Sequence, residues 1–202
     1  MDYFAADLHF NHKRILSFER YQFATILKHD EFIMSVLENT LTLTDKLYLL
    51  GDVGWPSDEI KERFKSLKCK KYLIKGNHDK NTVSYYKEDM GFDEVYDHPI
   101  WYSNRIVLSH YPVPVEDGVV NVHGHLHGST LDFRNYINVN IHMLGYKLCK
   151  LSRINSIVSS LPKPNTKFLQ EWFAGHQLFT EEEVKRRTDI LFDEKGIAIR
   201  LK

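Results

Sequence analysis

Lys46-Leu47-Tyr48-Leu49-Leu50-Gly51-Asp52 is a compact apolar run that stops at a glycine followed by an aspartate. A run of this length and composition reads as a short buried strand. The glycine lets the backbone turn where the strand ends. The arrangement occurs again on either side. Residues 2–6 read as a strand running into Asp7-Leu8-His9, and Tyr72-Leu73-Ile74 leads to Gly76-Asn77-His78-Asp79. Between these strands the apolar spacing is helical. Phe32, Ile33, Val36, Leu37 and Leu41 predict a helix over 30–41, with Asp30 and Glu31 suited to its positive end. Ser57 can cap a second helix whose apolar face is Ile60, Phe64 and Leu67. Residues 12–18 form a short helix or a loop. Strand, helix, strand, helix, strand implies a parallel sheet with helices on its faces.

The next part changes character. Short strands are expected at 94–98, 100–102, 105–109, 119–122 and 136–141, with turn-prone Ser103-Asn104 between two of them. This half reads as mixed or antiparallel. The expected fold is therefore α/β, a four-layer α/β/β/α sandwich of two mixed sheets flanked by helices. Pro162-Lys163-Pro164-Asn165 breaks the chain. Residues 1–160 are then one domain and 161–202 a tail of helix plus strand. Thr180 and Glu183 have capping-box spacing there, and Phe168, Trp172 and Phe173 could dock on the core or on a second subunit.

Bulk composition narrows the class. The chain has 202 residues, 43% of them apolar, which is enough for a core. Lys+Arg and Asp+Glu both number 27, and this balance disfavours a dedicated nucleic-acid binder. Cys69 and Cys149 make no disulfide framework, so a reducing compartment is the simpler assumption. No apolar run approaches the ~20 residues a membrane span needs. No signal-peptide core precedes the first strand. A soluble cytoplasmic protein without a membrane partner is expected.

The strand ends carry the chemistry. Asp7, His9, Asp52, Asn77, His110, His125 and His127 offer carboxylates, imidazoles and an amide oxygen. Ligands at strand ends can converge although they are distant in sequence. Two divalent cations ~3.5–4 Å apart neutralise a phosphate ester and generate a nucleophile at neutral pH, and a shared carboxylate holds them together. A mixed N/O donor set suits manganese, iron, zinc or nickel better than calcium. His125 and His127 flank Leu126, and in an extended segment both would point to the same side.

In the order D-x-H, G-D, G-N-H-D, a lone histidine and G-H-x-H, these blocks resemble the calcineurin-like metallophosphoesterase superfamily. Asp7-Leu8-His9-Phe10-x-His12, Gly51-Asp52-Val53-Gly54 and His110-Tyr111-Pro112 look like a small bacterial or phage branch of it. The likeness extends through Asn138-Val139-Asn140 to Gly145-Tyr146. It departs at Gly54-Trp55, and the tail has no counterpart. The resemblance implies the metallo-dependent phosphatase fold and a phosphodiesterase or phosphatase acting on a small nucleotide-type ester through a hydroxide shared by two cations. Manganese is the first choice, with iron, zinc or nickel as alternatives. Asp7, His9 and His127 would hold one cation, Asn77, His110 and His125 the other, and Asp52 would bridge. His78 would hydrogen-bond the phosphoryl oxygen or the leaving group, with Asp79 orienting it. A nuclease acting on DNA or RNA is the alternative, and a non-catalytic scaffold the second.

Other candidates have blander readings. His12 lines the site or is satisfied by backbone. His123 packs against neighbours, and His29, His98, His142 and His176 are surface or core histidines. Lys61, Lys65 and Lys68 fit a solvated helix face better than a nucleic-acid stripe. Trp55 and Tyr111 could stack on a base or pack at the rim.

Overall fold

A computed structural model describes residues 1–164, so the expected helix and strand of the tail, with Phe168, Trp172, Phe173 and His176, lie outside the described residues. Strands β1 (Asp2–Ala5), β2 (Lys46–Leu49), β3 (Lys70–Ile74) and β4 (Glu94–Tyr96) pair in parallel. The short strand β9 (Cys149–Lys150) adds antiparallel to β1, giving a five-stranded sheet of order β4-β3-β2-β1-β9. Strands β5 (Ile100–Ser103), β6 (Ile106–Leu108), β7 (Val120–His123) and β8 (Tyr136–Asn138) form the second sheet in that order, with β5 antiparallel to β6 and the rest parallel. The class is α/β, with two mixed sheets and flanking helices, as expected.

Strand alternation divides the core. Tyr3, Ala5, Leu47, Leu49 and Leu73 face one way. They meet Ile33, Met34 and Leu37 of helix α2 (Ile26–Thr40) and Ile60 and Phe64 of helix α3 (Asp58–Ser66). Phe4, Ala6, Tyr48, Leu50 and Ile74 face the other sheet and pack on Ile106, Leu108, Val120, Val122 and Ile137. Helix α4 (Leu151–Ser160) buries Ile154 in this inter-sheet layer. No helix among the described residues is long and apolar enough to cross a membrane.

Two local readings are corrected. Helix α2 starts at Ile26 rather than at residue 30, because Thr25 caps it by accepting from the Lys28 N–H at 3.3 Å. Asp30 therefore does not sit at the helix end. It is buried in the second turn, where it accepts the Asn11 N–H at 2.9 Å. Ser57 caps α3 as expected, accepting from Ile60 at 3.3 Å. Lys61 pairs with Asp58 at 2.8 Å, and Lys65 and Lys68 are exposed, so this lysine stripe is a solvated face.

The site lies where the two sheets join at their strand ends. The loops after β1 and β2 continue the ladder: Asp7, His9 and Phe10 donate N–H bonds to Gly51, Asp52 and Val53 carbonyls, each at 2.9 Å. Ala6 bonds to Val139 and Ile141, which ties β1 to the extension of β8. Gly124 donates to the His110 carbonyl at 3.0 Å.

Candidate metal centre

Five of the seven expected ligands take left-handed backbone angles: Asp7, His9, Asp52, His125 and His127 have φ between 48° and 68°. Only Asn11 and Tyr146 share this among the other described non-glycine residues. Such angles are uncommon outside glycine, cost roughly 1–3 kcal/mol each, and cluster at functional sites. Here they turn each side chain off the strand end and into one buried space. The G-H-L-H segment is thus not extended, contrary to the reading that its two histidines point to the same side. His125 turns towards Asn77, with Nδ1 at 3.1 Å from the amide oxygen, whereas His127 turns towards Asp7 and His9.

All seven residues converge. Ligand atoms of Asp7, His9 and His127 lie within 4.8 Å of one another, and so do those of Asp7, Asp52 and His110. Asn77 Oδ1 sits 3.0 Å from His110 Nε2 and 3.1 Å from His125 Nδ1. Asp52 Oδ2 stands between the groups, 3.8 Å from His9 Nε2 and 3.5 Å from His110 Nε2. Asp7, by belonging to both clusters, is more central than the resemblance implied.

The cluster has the unsatisfied donors that a cation would satisfy. Asp52 Oδ2 and both ring nitrogens of His9 are buried without a hydrogen-bond partner. Buried polar atoms are otherwise nearly always paired. The contacts at 3.5–3.9 Å are too long for hydrogen bonds. They match the separation of donors that share one small divalent ion, roughly 3–4 Å for bonds of ~2.0–2.2 Å. The charge states agree. Burial and the nearby Asp52 push Asp7 up to about 8, and burial raises Asp52. Burial pulls His9 far below its ordinary value, His110 down to about 4 and His125 down to about 3. At His9, His110 and His125 the protein alone thus supplies neutral imidazole lone pairs, beside carboxylates that need a positive charge to stay ionised.

Each half of the cluster has its own support. His110 Nδ1 donates to the Leu50 carbonyl at 2.8 Å, leaving Nε2 to face Asp52 and Asn77. Gly51 makes this possible, since a Cβ there would stand 2.3 Å from His110 Nδ1 and its φ is +86°. His127 Nδ1 donates to Glu19 Oε2 at 2.8 Å, which leaves Nε2 for the cluster. Burial lowers the His127 imidazole, but Glu19 and Asp7 outweigh it and the net shift is upward. Arg20 is fully buried behind Asp7. Its Nη2 donates to the Asp7 carbonyl at 2.5 Å and its Nη1 to the Leu8 carbonyl at 2.9 Å. His29 Nε2 lies 2.7 Å from Arg20, and His29 Nδ1 lies 2.8 Å from Asp30. His29 is thus one link in a buried chain rather than an isolated core histidine.

Glu19 and Arg20 escaped sequence reading. They follow the short helix α1 (Ile15–Phe18), and nothing in Phe18-Glu19-Arg20-Tyr21 separates them from a solvated ion pair. Asp79 also differs from its expected role. Its carboxylate accepts the N–H groups of Asp52 (2.8 Å), Gly76 (2.9 Å) and Val53 (3.0 Å), so it clamps two ligand loops together and does not orient the His78 ring. Burial and the Asp52 charge push it up to about 6. His78 is half-buried, with Nε2 at 4.0 Å from Asp52 Oδ2. Its ring adjoins those of His9 and His12, so His12 lines the site. His123 is buried and bonds the Gly124 carbonyl at 2.9 Å, a packing role as expected.

Comparison with known proteins gives a consistent picture. The family model described as calcineurin-like phosphoesterase matches residues 3–198. An uncharacterized protein of Methanocaldococcus jannaschii, MJ1445, is 26% identical over 170 residues, which cover 77% of this chain and 90% of that protein. The crystal structure of a protein of unknown function from Aquifex aeolicus, AQ665, superposes with a TM-score of 0.62 at 29% identity. That match covers 78% of this chain and 98% of the other.

Proposed function

The chain belongs to the calcineurin-like phosphoesterase family, and on that premise we propose that it hydrolyses a small nucleotide-type phosphodiester or phosphomonoester at a two-cation centre. The observation that carries this reading is Asp52 Oδ2, buried, without a hydrogen-bond partner and 3.5–3.8 Å from imidazole nitrogens of both halves of the cluster. Asp7, His9 and His127 would hold one divalent cation and Asn77, His110 and His125 the other, with Asp52 between them. Manganese is the first choice for this donor set, and iron, zinc and nickel also fit it. Such a pair, when bound, neutralises phosphate charge and brings coordinated water near deprotonation at neutral pH.

The chain's own groups do the rest. Leu50 and Glu19 fix the protons of His110 and His127 on Nδ1. Arg20 and Asp79 hold the loops that carry Asp7 and Asp52. His78 stands outside the ligand set and beside Asp52, where it can donate to a phosphoryl oxygen or to the departing oxygen. The even charge balance favours a small ester over a nucleic-acid duplex.

The test is a hydrolysis screen of Mn²⁺-loaded protein on bis-p-nitrophenyl phosphate, p-nitrophenyl phosphate and linear and cyclic nucleotides. We expect turnover that chelator removes. We expect His78→Ala to keep its metal and to lose about 10²–10⁴-fold in rate. Loss of metal in that variant would reassign His78 as a ligand. A steep fall of activity with salt would favour the nuclease reading, and protein that stays metal-free would favour a scaffold.

A further inference from the structure

Two large aromatic side chains are exposed at the margin of the cluster, Phe18 at 58% and Trp55 at 42%. They adjoin different histidines. Phe18 adjoins His127, with ring centres 6.0 Å apart. The Trp55 indole makes T-shaped pairs with His12 and His78, at 5.6 Å and 5.7 Å between ring centres. Tyr111, the other aromatic whose role the sequence left open, is half-buried and packed against His110 and His125 at 5.0 Å and 4.3 Å. It is a packing residue, whereas Trp55 is 42% exposed.

We propose that Trp55 is the stacking wall for a nucleobase, on the side of the site where the leaving group departs past His78. This deepens the phosphoesterase reading and rests on it. Three observations carry it. First, the backbone that carries the wall is anchored. The Trp55 backbone N–H donates to the Phe10 carbonyl at 2.8 Å, and Gly54 (φ +93°) presses against the same loop, where a Cβ would meet Phe10 O at 2.5 Å. Only the side chain is left to be ordered on binding. Second, position: a group that takes its proton from His78 leaves along the ring that packs on His78. A sugar spans the gap between phosphate and base, which carries a flat ring onto the indole. Third, the surroundings suit a flat, partly polar ring. The rings packed on the indole are two imidazoles, those of His12 and His78. An exposed indole among polar groups favours a planar, partly polar ring. Exposed Arg14, whose charge bears on His12, adds attraction for an anionic ligand.

The experiment compares adenosine 5′-monophosphate with ribose 5-phosphate, which share phosphate and sugar and differ only in the base. Binding to the Mn²⁺-loaded full chain is read on mixing by calorimetry and tryptophan fluorescence. Wild type should bind the nucleotide about 5- to 150-fold more tightly, the worth of one stacked base. Trp55→Ala and Trp55→Leu should both erase that preference while metal content and ribose 5-phosphate affinity hold. Trp55→Phe should keep most of it. No preference in wild type would overturn the proposal while p-nitrophenyl ester hydrolysis left the phosphoesterase reading standing. A preference that survives in both Trp55→Ala and Trp55→Leu, or that vanishes in Phe18→Ala instead, would put the base elsewhere. An equal loss for both ligands would reduce Trp55 to a support for His78. Protein that binds neither ligand and cleaves no ester would end both readings together.

Discussion

Asp7, His9 and His127 stand in front of buried charge, whereas Asn77, His110 and His125 stand in front of backbone. Behind the first three lie Arg20, whose guanidinium holds the Asp7 and Leu8 carbonyls, and Glu19, which accepts from His127 at 2.8 Å. Behind the second three lie the Leu50 carbonyl, which takes the His110 proton at 2.8 Å, and two glycines too closely packed to bear a Cβ. One half adds electrostatics and long side chains to close packing, as at Gly124 against Asp7, whereas the other is positioned by shape. Charged groups out of water are stable only in good geometry, so the first half should fail when a partner is removed. A shape-defined loop has no such partner and should fail when an atom is added.

Asp52 belongs to neither half, and its removal should abolish the distinction. In Asp52→Ala we expect turnover to fall to background and both cations to be lost, because the oxygen between His9 and His110 is gone. Metal analysis checks this. A variant that keeps two ions would remove Asp52 from the bridging position.

The next largest effect should come from Arg20→Met, which keeps bulk and deletes the guanidinium. It strands two buried carbonyls and removes the positive charge beside Glu19, whose Oε1 already has no partner. Breaking a buried charged arrangement costs about 3–5 kcal/mol. Denaturant unfolding of metal-free protein should show it, and a loss below about 1 kcal/mol would mean the carbonyls find other donors. Gly51→Ala attacks the other half. Its Cβ would meet His110 Nδ1 at 2.3 Å and the Gly76 backbone at 2.7 Å. Overpacking of this kind costs about 1–3 kcal/mol. It should weaken one cation and leave the His9–His127 half loaded, so a uniform loss of both would argue against independent halves.

The unequal legibility of the site follows from the same contrast. The strand–helix alternation, both mixed sheets and all seven convergent residues could be read from short runs ending in Gly-Asp, Gly-Asn-His-Asp and Gly-His-Leu-His, because apolar period and glycine punctuation are local signals. The supports of the second half lie inside those same motifs. Glu19 and Arg20 do not. Their burial depends on the chain folding back from α1 beneath the β1 loop, a tertiary fact with no periodic trace. Asp79 stands inside a motif, but its clamping of Asp52, Val53 and Gly76 is not legible there, since adjacency to His78 in sequence says nothing about where its oxygens point. The left-handed angles of Asp7, His9, Asp52, His125 and His127 were equally invisible, as none is glycine.

The finest distinction rests on Glu19→Gln. Glutamine keeps the length and can still accept from His127 Nδ1, so packing changes little and only the negative charge is lost. The carboxylate raises the basicity of the imidazole it faces, and replacing such outer partners typically costs 10–100-fold in metal affinity. That is about 1.4–2.7 kcal/mol, below the Arg20→Met effect and of the size of the Gly51→Ala effect, but far outside the error of a competition titration. The loss should fall on one cation only. The other, which Asn77, His110 and His125 would hold against the Leu50 carbonyl, would have no contact with Glu19 and should titrate as in wild type. A biphasic metal isotherm with only one phase displaced is the expected outcome. If both phases move together, the two halves act as one rigid unit joined through Asp7 and Asp52; if neither moves, Glu19 merely fills space behind His127, and the charged half owes its geometry to Arg20 alone.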